Sequence, residues 1–146
     1  MAEALLRHAL PAGSMWRVES AGVATCGGLP ASGCAKIVMN ELGAPIDPLK
    51  ESQPLTRAMI ANAALIVPLT RAHADAILEL DPSAQPRVRL LTSFLVNLKN
   101  DNGWKPLLLS PDIPDPIGGT LETYRQCRDE IRACIPGVIE FLEKIQ

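Results

Sequence analysis

The chain has 146 residues, 47% hydrophobic and 21% charged, with a formal net charge of −2. That is the length of one domain, 1–146, and the composition of a folded protein rather than a disordered one. A slightly acidic chain with 3% aromatic residues has neither the long-range attraction that nucleic acids and anionic membranes exert on basic proteins nor a base-stacking platform.

No apolar run approaches the ~20 residues that span a bilayer. Glu3, Arg7 and His8 interrupt any leader-like apolar segment at the start. The expectation is a cytoplasmic protein with no membrane or nucleic-acid partner.

In chain order, Ala2, Leu5, Leu6 and Ala9 recur at helical spacing, and Pro11-Ala12-Gly13 closes that helix. Trp16 to Ser20 reads as a strand, with Ala21-Gly22 giving it a tight exit. Ser32 is placed to cap a second helix carrying Ala35, Val38, Met39 and Leu42, which Gly43 stops. Thr56 is placed to cap a short third helix with Met59 and Ile60. Ala64-Leu65-Ile66-Val67 is a continuous apolar run without alternation, the pattern of a strand buried on both faces of a parallel sheet. Thr70-Arg71-Ala72-His73 leads into a helix through Ile77 and Leu80 that Asp81-Pro82 breaks. Val88 to Leu91 is the last predicted strand.

From Ser93 to Gly119 the chain reads as irregular, punctuated by Pro106, Pro111, Pro114 and Pro116. A final helix from about Thr120 buries Leu121, Tyr124, Ile131, Ile135, Val138 and Leu142. Pro136 inside it should kink it, at a cost of ~3 kcal/mol if unrelieved. Helices alternating with buried strands define an α/β class with a parallel sheet.

The four cysteines, Cys26, Cys34, Cys127 and Cys134, do not form a Cys-x-x-Cys pair. Cys127 and Cys134 are seven apart and share a helix face, where they act as small apolar residues. Cys26 precedes Gly27-Gly28, but no arginine follows it at the spacing an anion cradle needs; Pro30, Ala31 and Ser32 lie there instead. His73 reads as a helix-start residue and His8 as a solvated one.

Three segments stand out in order: Met1-Ala2-Glu3-Ala4-Leu5-Leu6, then Glu19-Ser20-Ala21-Gly22, then Asp112-Ile113-Pro114-Asp115-Pro116-Ile117-Gly118-Gly119 followed by Leu121-Glu122-Thr123-Tyr124. Together they resemble the low molecular weight protein tyrosine phosphatases over nearly the whole chain, and the Asp-Pro-x-Gly-Gly segment is the most specific of them. The resemblance implies a three-layer, phosphotyrosine phosphatase I-like fold, with a parallel four-stranded sheet flanked by helices. In that family the Met-Ala-Glu-Ala helix directly follows the first, central strand and a phosphate loop of Cys, five residues, Arg, then Ser-Pro. The expectation is a chain that lacks this strand and loop because it starts at an internal methionine. Such a chain should be inactive as it stands, with the neighbouring strands left unpaired at ~1–3 kcal/mol per unsatisfied group.

The resemblance also implies the chemistry, a phosphomonoester hydrolysis through a cysteinyl-phosphate. Asp115 would be the general acid for the leaving group and then the base for water, and Ser20 would support the phosphate loop. Lys50 stands where the family often has a histidine, and a lysine can donate to that loop but not accept from it. Asp112 reads as a solvated loop residue, or one raising the pKa of Asp115 by like-charge repulsion. No metal or organic cofactor is implied. The partner would be a phosphorylated protein or small phosphoester, with phosphotyrosine, phosphoarginine and arsenate all left open. Two other readings stand beside the enzyme. One is a phosphatase-derived binding or regulatory module without a working site. The other, from fold class alone, is a flavodoxin-like cofactor binder.

Overall fold

Among the residues that the computed structural model of the chain describes, 1–95 and 111–146, five α-helices form. They are α1 (Ala2–Ala9), α2 (Gly33–Glu41), α3 (Arg57–Asn62), α4 (Arg71–Leu80) and α5 (Leu121–Lys144). Their starts follow from side-chain oxygens that accept orphan first-turn N–H groups. Ser32 accepts from Ala35 N, Thr56 from Met59 N, Thr70 from His73 N and Thr120 from Thr123 N. The expected stops hold as well, with Gly43 at φ +66° after α2 and the Asp81-Pro82 break after α4.

Helix α5 is the spine of the molecule. Tyr124, Cys127, Ile131, Cys134, Ile135, Val138 and Leu142 recur every three or four residues and are all buried. Helix α1, helix α2 and a 3-10 turn at Leu91–Phe94 pack against this stripe. Their contributions to the core include Leu5, Val38, Met39, Leu91 and Phe94. The two α5 cysteines are core residues, and burial pushes both thiols up to about 11. A smaller cluster of Ile60, Ile77 and Ala84 joins α3 and α4 to a 3-10 helix at Pro82–Arg87. Neither 3-10 element was expected.

Helix α5 passes through Pro136 and continues to Lys144. The residue after the proline explains the spot. A Cβ on Gly137 would lie 2.0 Å from the Phe94 carbonyl oxygen, so the bare glycine lets the Leu91–Phe94 turn lie against the helix backbone. Phe94 then meets Phe141 edge-on at 5.6 Å, with the Arg89 guanidinium 4.9 Å from the Phe141 ring centre.

The sheet differs from expectation. Among the described residues, strand pairing is reduced to three isolated bridges: Gly22–Pro54 and Ile66–Val88, both parallel, and Pro30–Glu51, antiparallel. Ile66 donates to Arg87 O and accepts from Arg89 N, and Pro68 O accepts from Leu91 N, which is parallel pairing along one edge. The groups of Leu65 and Val67 point to the opposite edge and meet no backbone partner among the described residues. Residues 64–67 are therefore not buried on both faces: Ala64 is exposed and Leu65, Ile66 and Val67 are half-buried. Residues 16–20 keep the alternation of a strand, with Trp16 and Val18 half-buried between exposed neighbours. They too lack any backbone partner among the described residues. The part of the expected irregular segment at 96–110, Pro106 included, lies outside the described residues.

Candidate active site

Two separate features bear on chemistry, one around Ser20 and one around Asp115. At the first, Glu3 on α1 is the hub. Its side chain is only 11% exposed, and its carboxylate accepts from Ser20 Oγ at 2.5 Å and pairs with Lys50 Nζ at 3.1 Å and Arg7 Nη2 at 2.9 Å. Burial alone would raise the Glu3 pKa, but the Ser20 hydroxyl, the Lys50 ammonium and Arg7 outweigh it and hold the carboxyl below its ordinary value. Arg7 also donates to Val18 O at 2.6 and 3.1 Å, and Gln53 Nε2 donates to Ser20 O. Helix α1 is thereby tied to the extended 16–20 segment through side chains.

A cavity of about 570 Å³ opens beside this network, lined among others by Glu3, Arg7, His8, Ser20, Lys50 and Ser52. Ser20 and Lys50 thus do come together, joined through Glu3, a hub the sequence did not suggest. Asp115 is not on the cavity wall.

The second feature is the Asp115 turn. Asp115 is exposed, and its Oδ1 accepts from Ile117 N at 3.0 Å. Gly118 takes φ +74°, a conformation that favours glycine, and Gly119 N closes the turn on Pro116 O at 2.8 Å. Upstream, Asp112 is not simply solvated. Its Oδ1 accepts from Arg71 N, the first residue of α4, at 2.8 Å and pairs with Arg71 Nε at 3.5 Å. Ile113 is 2% exposed, and its N–H donates to Leu69 O. Asp115 therefore stands between the start of α4 and the start of α5. It is also close enough to α5 to raise the Cys127 thiol pKa, after burial and Glu130.

The cysteines offer no ready nucleophile. Cys127 and Cys134 are buried thiols, Cys34 is half-buried, and Cys26 is exposed in the loop shaped by Gly27 and Gly28. Among the described residues, no group of three or more His, Cys, Asp or Glu could hold a metal ion, and no helix is long and apolar enough to cross a membrane.

A family model described as low molecular weight phosphotyrosine protein phosphatase matches residues 1–146. A protein-arginine-phosphatase of Geobacillus stearothermophilus is 34% identical over 146 residues, 100% of this chain and 88% of that protein. Among solved structures, the YwlE arginine phosphatase of the same organism superposes with a TM-score of 0.79 at 32% identity, covering 99% of this chain and 84% of that one. The tyrosine phosphatase amsI from Erwinia amylovora superposes at 0.78 with 22% identity, covering 95% and 81%. At that identity the likeness concerns the α/β fold alone.

Proposed function

The chain belongs to the low molecular weight phosphotyrosine protein phosphatase family, and from that premise we propose that it hydrolyses phosphorylated protein side chains with Asp115 as proton donor. The observation that carries this reading is the Asp115 turn. It presents an exposed carboxylate from a segment pinned at both ends, in a chain related along its whole length to a phosphatase.

A phosphoryl group leaves a phenol or a guanidine readily only if the departing atom receives a proton, since phenolate is a basic leaving group (phenol pKa ~10) and a guanidine anion is more basic still. Asp115 supplies that proton and afterwards takes one from the water that attacks the phosphocysteine. The substrate class we favour is phosphoarginine. The 34% relative carries that activity in its name, and Ile117, 78% exposed, offers no aromatic face beside Asp115 for a tyrosine ring.

The nucleophile is a cysteine in a Cys-five-residues-Arg loop. That pattern does not occur within residues 1–146: six positions after Cys26, Cys34, Cys127 and Cys134 stand Ser32, Asn40, Ala133 and Glu140. The polypeptide 1–146 alone is therefore proposed to be silent. Turnover should require the first strand and such a loop, joined so that the loop runs directly into Met1, where α1 offers first-turn N–H groups that no side chain caps.

The test of Asp115 uses the polypeptide with that strand and loop joined ahead of Met1. Asp115→Asn should lower turnover of a phosphoarginine peptide by about a hundredfold or more. Unchanged turnover would remove Asp115 from the reaction.

A further inference from the structure

We infer that Asp112 is a positioning residue, which fixes where Asp115 stands by fastening the loop to the first turn of α4. The inference rests on the reading of Asp115 as proton donor and adds a second residue to it.

Among the described residues, three bonds pin the upstream side of the loop. Asp112 Oδ1 accepts from Arg71 N at 2.8 Å, Ile113 N donates to Leu69 O at 3.0 Å, and Thr92 Oγ1 donates to Pro111 O at 2.6 Å. The first of these is a helix cap supplied from 41 residues away. Thr70 caps α4 at His73 N, and Asp112 satisfies a second orphan donor at Arg71 N. A carboxylate at a helix start also meets the favourable end of the helix dipole.

From that anchor the chain has little freedom before Asp115. Pro114 and Pro116 each lock φ near −65°. Ile113 and Asp115, each preceding a proline, are held to extended backbone. Two residues separate Asp112 from Asp115, three chain steps with a reach of at most ~11 Å. Downstream, Gly119 N bonds Pro116 O, and a Cβ on Gly119 would lie 2.9 Å from that oxygen and 3.0 Å from Thr123. With both ends fastened and the prolines stiffening the middle, loosening Asp112 moves Asp115.

The ion pair to the exposed Arg71 side chain is long, at 3.5 Å, and surface pairs of this kind contribute little. Of these two contacts with Arg71, the cap on its N–H is the stronger anchor. Asp112→Asn keeps an acceptor for that N–H, whereas Asp112→Ala removes it.

Two measurements test the inference. The first is amide hydrogen exchange in the polypeptide 1–146, where D112A should speed exchange at Arg71 and Ile113 and also at Ile117, whose N–H is held by Asp115. Faster exchange confined to Arg71 would overturn the inference.

The second is turnover of two aryl phosphates by the polypeptide with the first strand and the Cys-five-Arg loop ahead of Met1. D112A should slow phenyl phosphate, which needs a proton on its leaving group, about tenfold or more, and p-nitrophenyl phosphate less than about twofold. D112N should stay close to the parent on both. Equal slowing of both esters by D112A, or no slowing of either, overturns the positioning role provided D115N is itself selective for phenyl phosphate. A D115N variant with no such selectivity overturns the proton-donor reading, and the inference with it.

Discussion

Arg128 lies on α5 and, although charged, is only 7% exposed. Its Nη1 donates to Val38 O at 2.9 Å and to Glu41 Oε2 at 2.8 Å, and its Nε to Asp129. Val38 O is one of the last four carbonyls of α2, which have no partner inside the helix, so Arg128 closes α2 against α5. Replacing Arg128 by Ala leaves that carbonyl unpaired, and urea denaturation should show a loss of about 1–3 kcal/mol. Nothing in the local pattern of α5 pointed to this role, because the partner lies 90 residues away.

Glu3 brings a pH dependence at the same scale. Its carboxyl is held below the ordinary carboxylate value in the folded protein, so the unfolded chain binds its proton first as pH falls. The stability Glu3 confers is full above its unfolded pKa of about 4.3 and is lost as pH falls through the lower folded value. Melting temperature should therefore be flat in this respect near neutrality and fall below about pH 4.3. Glu3→Gln should soften the fall by removing one contributor, while Glu41, depressed by Arg125 and Arg128, Asp81, depressed by Ser83, and Glu140, depressed by Lys144, still contribute. Identical acid profiles for the two proteins would show that the Ser20–Glu3–Lys50 network contributes nothing.

At the scale of elements, Pro136-Gly137 is the most demanding point in α5. Alanine at 137 must push its Cβ away from the Phe94 carbonyl, and backbone cannot yield as a side-chain tip can. Gly137→Ala should cost about 3 kcal/mol, the upper end of ordinary overpacking, despite the better helix propensity of alanine. A neutral or stabilising result by thermal melting would mean the turn at Leu91–Phe94 is not held there.

The helices were legible because their signals are local. Ser32 and Thr56 cap, Gly43 stops, and apolar residues recur within one turn. The strands were legible only in part, as the parallel pairing of Ile66 with Val88 shows, because a strand is completed by a partner elsewhere in the chain. Trp16 to Ser20 and Ala64 to Val67 have strand character in sequence, yet among the described residues only the Ile66 edge of the two meets a backbone neighbour. An apolar run says that a segment is to be covered, not by what. The 3-10 turns at Pro82–Arg87 and Leu91–Phe94 carry no periodic pattern long enough to reveal them.

At the scale of the molecule, the two halves of the candidate site were legible to different degrees. Asp115 was reached through a short motif whose turn residues the structure places as turn chemistry requires, with Gly118 at positive φ and Gly119 closing on Pro116. Its fastening through Asp112 to α4 joins residues 41 apart and could not be read from either segment. Ser20 and Lys50 converge on Glu3, a meeting point that neither of their own segments reveals. The edges at residues 16–20 and 65–67, which meet no backbone partner among the described residues, the cavity beside Glu3 and the absence of a Cys-five-Arg pattern within 1–146 concern one question, the source of the nucleophile.

The most direct measurement is phosphoester turnover by the polypeptide 1–146, compared with the same polypeptide carrying the first strand and a Cys-five-Arg-Ser-Pro loop directly ahead of Met1. The expected result is no hydrolysis of p-nitrophenyl phosphate or a phosphoarginine peptide by the first, and hydrolysis of both by the second that is lost when the loop cysteine is replaced by serine. Hydrolysis by 1–146 itself, abolished by Cys26→Ser, would contradict it and move the nucleophile to the loop at Gly27-Gly28.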